Sequence, residues 1–220
     1  MLVVLVGGFL AFAATRPDTY KVERSTKVDA PASAVFAQLE DFKAWTAWSP
    51  WEKKDPQMKK TYEGPPSGVG SSYSWEGNKD VGKGKMAITA SEPPTNIRYR
   101  LEFFEPFAAV ANTAFSVVPE GDKTVSVTWA MDGTNNMVSK IFGVFMNMDA
   151  AIGGDFEKGL AALKAVSEAE ARKQEAVKAA ADAAAAAQAA KVAAETAASA
   201  AAAAAAAQAA VPAGKSKAKH

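Results

Sequence analysis

The chain has 220 residues, with 25 Lys and Arg against 24 Asp and Glu, no cysteine and a single histidine, His220. Those counts exclude disulfides, thiolate chemistry, a His/Cys metal site and a histidine-based triad within one chain, and they point to no metal or cofactor. A net charge of +1 creates no large field, so nucleic acid is not an expected partner and any partner must be recognised locally.

The opening stretch is apolar from Met1 to Ala14 and stops at Thr15, Arg16 and Pro17. A bilayer-crossing helix needs about 20 such residues. The segment therefore reads as a signal peptide, with Ala11-Phe12-Ala13 as the small-x-small site, or as a short membrane anchor. Neither reading has its usual basic lead, and Arg16 and Lys21 follow the apolar run, an order that favours a cytoplasmic C-terminal side. A buried first strand is the third reading. The expected localisation is membrane-anchored or exported, and cytoplasmic if the segment is no targeting signal.

The stretch TYKVERSTKV alternates Tyr20 and Val22, then Val28, with polar neighbours, as a half-buried strand does. In DAPASAVFAQLEDF, Pro31 suits a first helical turn, and Val35, Phe36 and Leu39 form an apolar stripe. Residues 41–56 read DFKAWTAWSPWEKKDP. Helical spacing brings Trp45 and Trp48 onto one face, and Pro50 is expected to end that helix before Trp51. Three tryptophans in seven residues make either a core plug or the mouth of a pocket.

Strand signals follow in KKTYEG, SSYSWEG, KGKMAITASE, NIRYRLEFF, VANTAFSVV and KTVSVTWAMDG, at hairpin spacing that predicts an antiparallel meander. The period of two places Ile97, Tyr99, Leu101 and Phe103 on one face, with Arg98, Arg100 and Glu102 on the other. Val125, Val127, Trp129 and Met131 repeat the pattern, as do Phe115 with Val117 and Met86 with Ile88. The greasy face needs a cover. Val138, Ile141, Phe145, Met148, Ile152, Phe156 and Leu163 supply it, at the spacing of one helix face. Gly143, Gly153, Gly154 and Gly159 each cost that helix about 1 kcal/mol relative to alanine. They imply close approach, a kink or mere tolerance. Beyond residue 166 the chain is mostly alanine, a helix former without a heptad of large residues, and ends in the basic tip KSKAKH. That tail is expected to be a solvated spacer or a tether to an anionic surface.

The order strand, two short helices, antiparallel strands and long C-terminal helix resembles the START-like or SRPBCC superfamily, which includes Bet v 1-like proteins. More narrowly, YKVERSTKVDAPASAVFAQLEDFKAWTAWSPW resembles the opening of bacterial polyketide cyclase/dehydrase-type proteins, and GGDFEKGLAAL their last helix. Members with an apolar segment before P-D-x-Y also occur. The resemblance implies an α+β helix-grip fold: a curved antiparallel sheet wrapped around a long C-terminal helix, with two short helices after strand 1. Three parts are expected, namely an apolar segment over residues 1–17, the domain over 18–166 and an Ala-rich tail over 167–220.

It also implies a cavity between sheet and helix that holds a hydrophobic small molecule, lipid or polyketide-like. The expected ligand-binding side chains are Trp48, Trp51, Tyr73, Trp75, Tyr99, Phe103, Phe115, Trp129, Met131, Phe145 and Met148. Cyclisation would need acid–base groups, and among these only the two tyrosines exchange a proton. Asp132, Asp149 and Asp155 flank the apolar positions and read foremost as solvated or capping carboxylates. Ligand carriage, probed against a cyclase/dehydrase-like enzyme and a protein-interaction module with a filled cavity, is therefore the leading expectation, with no catalytic residue assigned and the membrane a possible partner through the N-terminal segment.

Overall fold

Seven strands pair antiparallel in the order β1-β7-β6-β5-β4-β3-β2. The computed structural model describes residues 2–135, 137, 140, 141, 144 and 147–209. The strands are β1 Thr19–Val28, β2 Lys59–Glu63, β3 Ser72–Glu76, β4 Lys83–Glu92, β5 Asn96–Glu105, β6 Ala109–Pro119 and β7 Val125–Thr134. Consecutive strands β2 to β7 form the expected meander, and β1 adds to its far edge along β7, with Val22 opposite Met131. Register shifts between Lys83 and Gly84 and between Ile88 and Ala90 interrupt the β4–β5 ladder, and such bulges bend a sheet. The inward face carries Ile97, Tyr99 and Leu101, Val125, Val127, Trp129 and Met131, all buried.

The connection from β1 to β2 holds α2 (Ala32–Glu40), a 3₁₀ turn (Ala44–Ala47) and α3 (Pro50–Lys54). The expectation of one tryptophan-bearing helix ended by Pro50 is corrected here. The tryptophans sit on a 3₁₀ turn, where residues three apart eclipse, and their rings lie 4.6 Å apart. Pro50 begins α3 rather than ending a helix, because a first-turn position has no use for the missing N–H.

Those rings also solve a problem at the end of α2. The last carbonyls of a helix have no partner within it. The Trp48 indole N–H donates to Gln38 O at 3.2 Å, the Trp45 indole to Leu39 O at 3.1 Å, and the Tyr99 hydroxyl to the same Leu39 O at 2.9 Å. The Gly68 amide takes Glu40 O at 3.2 Å. Apolar ring bodies and polar edges are thus satisfied by one arrangement, which is why these tryptophans can be fully buried.

The covering helix is α4 (Met148–Ala209). Asn147 caps its start, its side-chain oxygen accepting from the Ala150 amide at 3.1 Å. Phe156, Leu160, Leu163, Ser167 and Ala171 line its buried face, with Ile152 half-buried. Val138, Gly143 and Phe145 lie outside the described residues, as does the side chain of Met148. The chain divides into a unit ending at Ala171 and a second beginning at Arg172, and every described residue of the second, up to Gln208, is exposed. The basic tip lies outside the described residues.

The first helix, α1 (Leu2–Ala14), has 13 residues. At 1.5 Å per residue it spans roughly 20 Å, short of the ~30 Å hydrocarbon layer. No helix among the described residues is long and apolar enough to cross a membrane, so the expected transmembrane helix finds no support.

Candidate functional site

The aromatic plug fills the sheet only beneath α2. Phe42, Trp45, Trp48, Tyr99 and Phe115 interlock there at 5.3–6.1 Å, mostly edge to face with Phe42–Tyr99 tilted, apart from the closer Trp45–Trp48 pair. Beside it, lined by both the sheet and α4 and bordered by Trp45 of the plug, lies a cavity of about 350 Å³. Its sheet wall is Tyr73 and Trp75 of β3, Met86 of β4, Leu101 and Phe103 of β5, Thr113 of β6, and Trp129 and Met131 of β7. Ile152, Asp155 and Phe156 of α4 face them, with Trp51 of α3 and Met58, while Tyr20, Ala109, Val110, Thr134 and Asn135 complete the edge.

Trp129 is held on every side. Its indole N–H donates to Thr113 Oγ1 at 2.9 Å, and that hydroxyl donates to Ala130 O at 2.9 Å. Phe156 stacks on it at 4.1 Å with planes 6° apart, and Trp51 meets it edge-on at 5.8 Å. Gly159 makes the space: a Cβ there would stand 2.7 Å from the Trp129 ring. Gly84 does the same for Trp75, whose ring would meet a Cβ at 2.4 Å, and the Trp75 indole donates to Val81 O at 3.3 Å. The two glycines are bare because rings occupy the volume of their absent side chains.

Trp51, Tyr73, Trp75, Phe103, Trp129 and Met131 of the expected ligand-binding set therefore stand together on the cavity wall. Trp48, Tyr99 and Phe115 do not reach it. They belong to the plug, Tyr99 with its hydroxyl committed to Leu39. Phe145 and the Met148 side chain lie outside the described residues. Sequence reasoning passed over Tyr20, Met58, Ile152 and Phe156 as wall residues, although Phe156 and Ile152 were on the expected helix face.

Among the described residues charge on the wall is confined to Asp155, which pairs with Lys54 and lies 3.7 Å from Lys158 Nζ. Asp149 and Asp132 are elsewhere. Asp149 is gripped by Arg24, whose guanidinium bonds both its carboxylate oxygens at 3.0 and 3.1 Å, its backbone carbonyl at 3.2 Å and Glu157 at 2.9 Å. Arg24 shares the inward side of β1 with Val22 and passes over Gly153, where a Cβ would be 2.0 Å from its Nη2. Asp132 is exposed, with Asn112 Nδ2 3.4 Å away. Burial pushes the Tyr73 and Tyr99 phenols above their ordinary range, and burial with the nearby Asp132 charge does so for Tyr20. At neutral pH all three are hydrogen-bond donors rather than bases. Among the described residues no group of three or more His, Cys, Asp or Glu could hold a metal ion.

Known structures share this architecture. The Zhui aromatase/cyclase from a Streptomyces species, strain R1128, matches with a TM-score of 0.52 at 14% identity, over 68% of this chain and 94% of its own. A protein of Nitrosospira multiformis matches with a TM-score of 0.50 at 21% identity, over 70% of this chain and 99% of its own. At such identities the likeness is one of fold. No protein of curated function matches the chain in sequence. A family profile described as polyketide cyclase / dehydrase and lipid transport matches residues 19–168, β1 through the buried stretch of α4. Its members are associated with hydrophobic ligands or with cyclase/dehydrase-like activity, and with that match over most of the chain, the protein belongs to this family.

Proposed function

We propose that the protein binds a hydrophobic small molecule in the cavity between the sheet and α4 and carries it without transforming it. The observation that carries this reading is the cavity of about 350 Å³, walled almost entirely by aromatic and aliphatic side chains and pre-formed by Gly84 and Gly159. A void of that size lies within the range of small-molecule pockets, roughly 300–1,000 Å³, and few polar groups are needed to orient a ligand in one. It also weighs against an interaction module whose interior is filled by its own side chains.

Cyclase or dehydrase-like chemistry is the second reading, favoured by the family and by one wall carboxylate, Asp155. A general base must be free to accept a proton near neutral pH. Asp155 is occupied by Lys54, and the phenols on the wall are held protonated. Carriage is the better supported of the two.

Native mass spectrometry of the protein purified from its own host, followed by organic extraction, tests the proposal. One bound small molecule per chain, apolar on extraction and recovered unchanged after incubation with the protein, is the expected result. Bare protein that also fails to take up any of a panel of sterols, aromatic ketones and fatty alcohols overturns it. Conversion of the extracted molecule on incubation supports the enzyme instead.

A further inference from the structure

The polar groups of the cavity select for charge as well as for size. Resting on the small-molecule reading above, we infer that the ligand is a neutral molecule carrying hydrogen-bond-accepting oxygen, held by the phenols of Tyr73 and Tyr20, and that carboxylate ligands such as free fatty acids are rejected.

Two observations converge on this. First, Tyr20 and Tyr73 belong to the cavity wall, and among the described residues neither hydroxyl is engaged as the Tyr99 hydroxyl is by Leu39 O. Every other aromatic donor on the sheet wall is satisfied internally: Trp75 by Val81 and Trp129 by Thr113. Both tyrosines are half-buried and their hydroxyls stay accessible, so on an otherwise apolar wall they are donors that a ligand oxygen can engage. The two lie far apart across the sheet, Tyr20 on edge strand β1 and Tyr73 on β3, with β7, β6, β5 and β4 between. They can engage oxygens at different ends of one molecule.

Second, no Lys or Arg stands on the wall among the described residues, whereas a carboxylate does. An anion entering an apolar cavity loses its hydration and needs a cation in exchange. Cations close to wall residues are engaged or solvated: Lys158, 3.7 Å from Asp155, is largely exposed, and Lys60 is bound to Glu52. Lys54 is bound to Asp155, and Arg24 to Asp149 and Glu157. Asp155 would repel a second carboxylate, while a ketone, ester, lactone or quinone oxygen would accept from a phenol without bringing charge.

Calorimetric titration of the full chain at neutral pH with three naphthalenes of similar size separates the possibilities. They are 2-acetonaphthone, which is neutral with one acceptor, 2-naphthoate, which is anionic, and 2-ethylnaphthalene, which has no acceptor. The ketone is expected to bind best, ahead of the hydrocarbon by roughly three- to tenfold, the worth of one neutral hydrogen bond, and ahead of the anion by more. Tyr73→Phe, alone or with Tyr20→Phe, should bring the ketone down to the hydrocarbon and leave the hydrocarbon unchanged, since only a hydroxyl is removed. Naphthoate binding as tightly as the ketone, or ketone affinity unmoved in the double variant, overturns the inference while leaving the cavity reading intact. Failure of all three naphthalenes to bind overturns both.

Discussion

The indole N–H of Trp45 donates to the carbonyl of Leu39 at 3.1 Å, so a core tryptophan closes the end of the helix that precedes it. The Trp48 indole treats Gln38 in the same way. The three tryptophans consequently grade from plug to wall: Trp48 belongs to the plug alone, Trp45 belongs to the plug and borders the cavity, and Trp51 lines the cavity against Trp129.

Replacing each should separate those tasks. Trp45→Ala or Trp48→Ala removes a buried ring and should cost about 3–5 kcal/mol in denaturant melts, a large share of a domain's stability. Trp45→Phe keeps most of the ring but leaves the Leu39 carbonyl with Tyr99 alone, and should cost about 1–3 kcal/mol. Trp51→Ala should melt closer to the parent than either alanine variant of the plug, while weakening binding of a neutral aromatic ligand. Equal loss of stability in all three alanine variants would contradict the division.

The helix glycines should respond in opposite directions to alanine. At Gly154 a Cβ meets nothing within 4 Å, so Gly154→Ala should gain about 0.5–1 kcal/mol from helix propensity. Gly159→Ala places a methyl 2.7 Å from the Trp129 ring and 3.1 Å from Pro50 Cδ, and should destabilise in spite of the same propensity gain, by about 1–3 kcal/mol. Thermal melts of the two variants beside the parent give the comparison.

A buried hydroxyl offers a further stabilising change. Ser167 Oγ is buried on α4 with no hydrogen-bond partner among the described residues. Ser167→Ala removes a desolvated polar atom and improves helix propensity, and should raise stability by about 1 kcal/mol. A lower midpoint in the same denaturant series would show that the hydroxyl has a partner.

Acid should release the clamp between β1 and α4. Hydrogen bonding to the Arg24 guanidinium holds the Asp149 carboxyl below its usual value of 3.8. A depressed carboxyl contributes stability that is present above the unfolded-state value and is lost as pH falls through the lower folded value. Asp149→Asn should therefore melt below the parent at neutral pH, and the two should converge well under pH 3.8. A constant offset between the melting curves across that range would assign the contact a role independent of charge.

Much of the architecture was legible because strand and helix periods are local. Alternation in NIRYRLEFF and VSVTWAM placed Ile97, Tyr99, Leu101, Trp129 and Met131 on one face, and the structure buries them. The three-to-four spacing of Ile152, Phe156 and Leu163 marked the face of α4 that covers them. The position of the cavity along that face was not legible. A period of two assigns a residue to a side of the sheet and is silent about what stands over it, so Tyr99 and Phe115, within the plug, and Trp75 and Trp129, beside the void, carry the same sequence signal. Only the path of the 3₁₀ turn and α3 across the sheet separates them.

The sequence by itself determined the meander, its inward face, the covering helix and the lack of disulfides and thiolate chemistry, since each follows from composition or from contacts between near neighbours. Tertiary structure alone decided that Gly84 and Gly159 are seats for Trp75 and Trp129, that the Trp45 and Trp48 indoles cap α2, and that Arg24, a cation on an inward strand position, is satisfied by Asp149 and Glu157, 125 and 133 residues away. Those pairings join groups distant in the chain, and steric and hydrogen-bond complementarity between them exists only once the sheet has curved and α4 has closed over it.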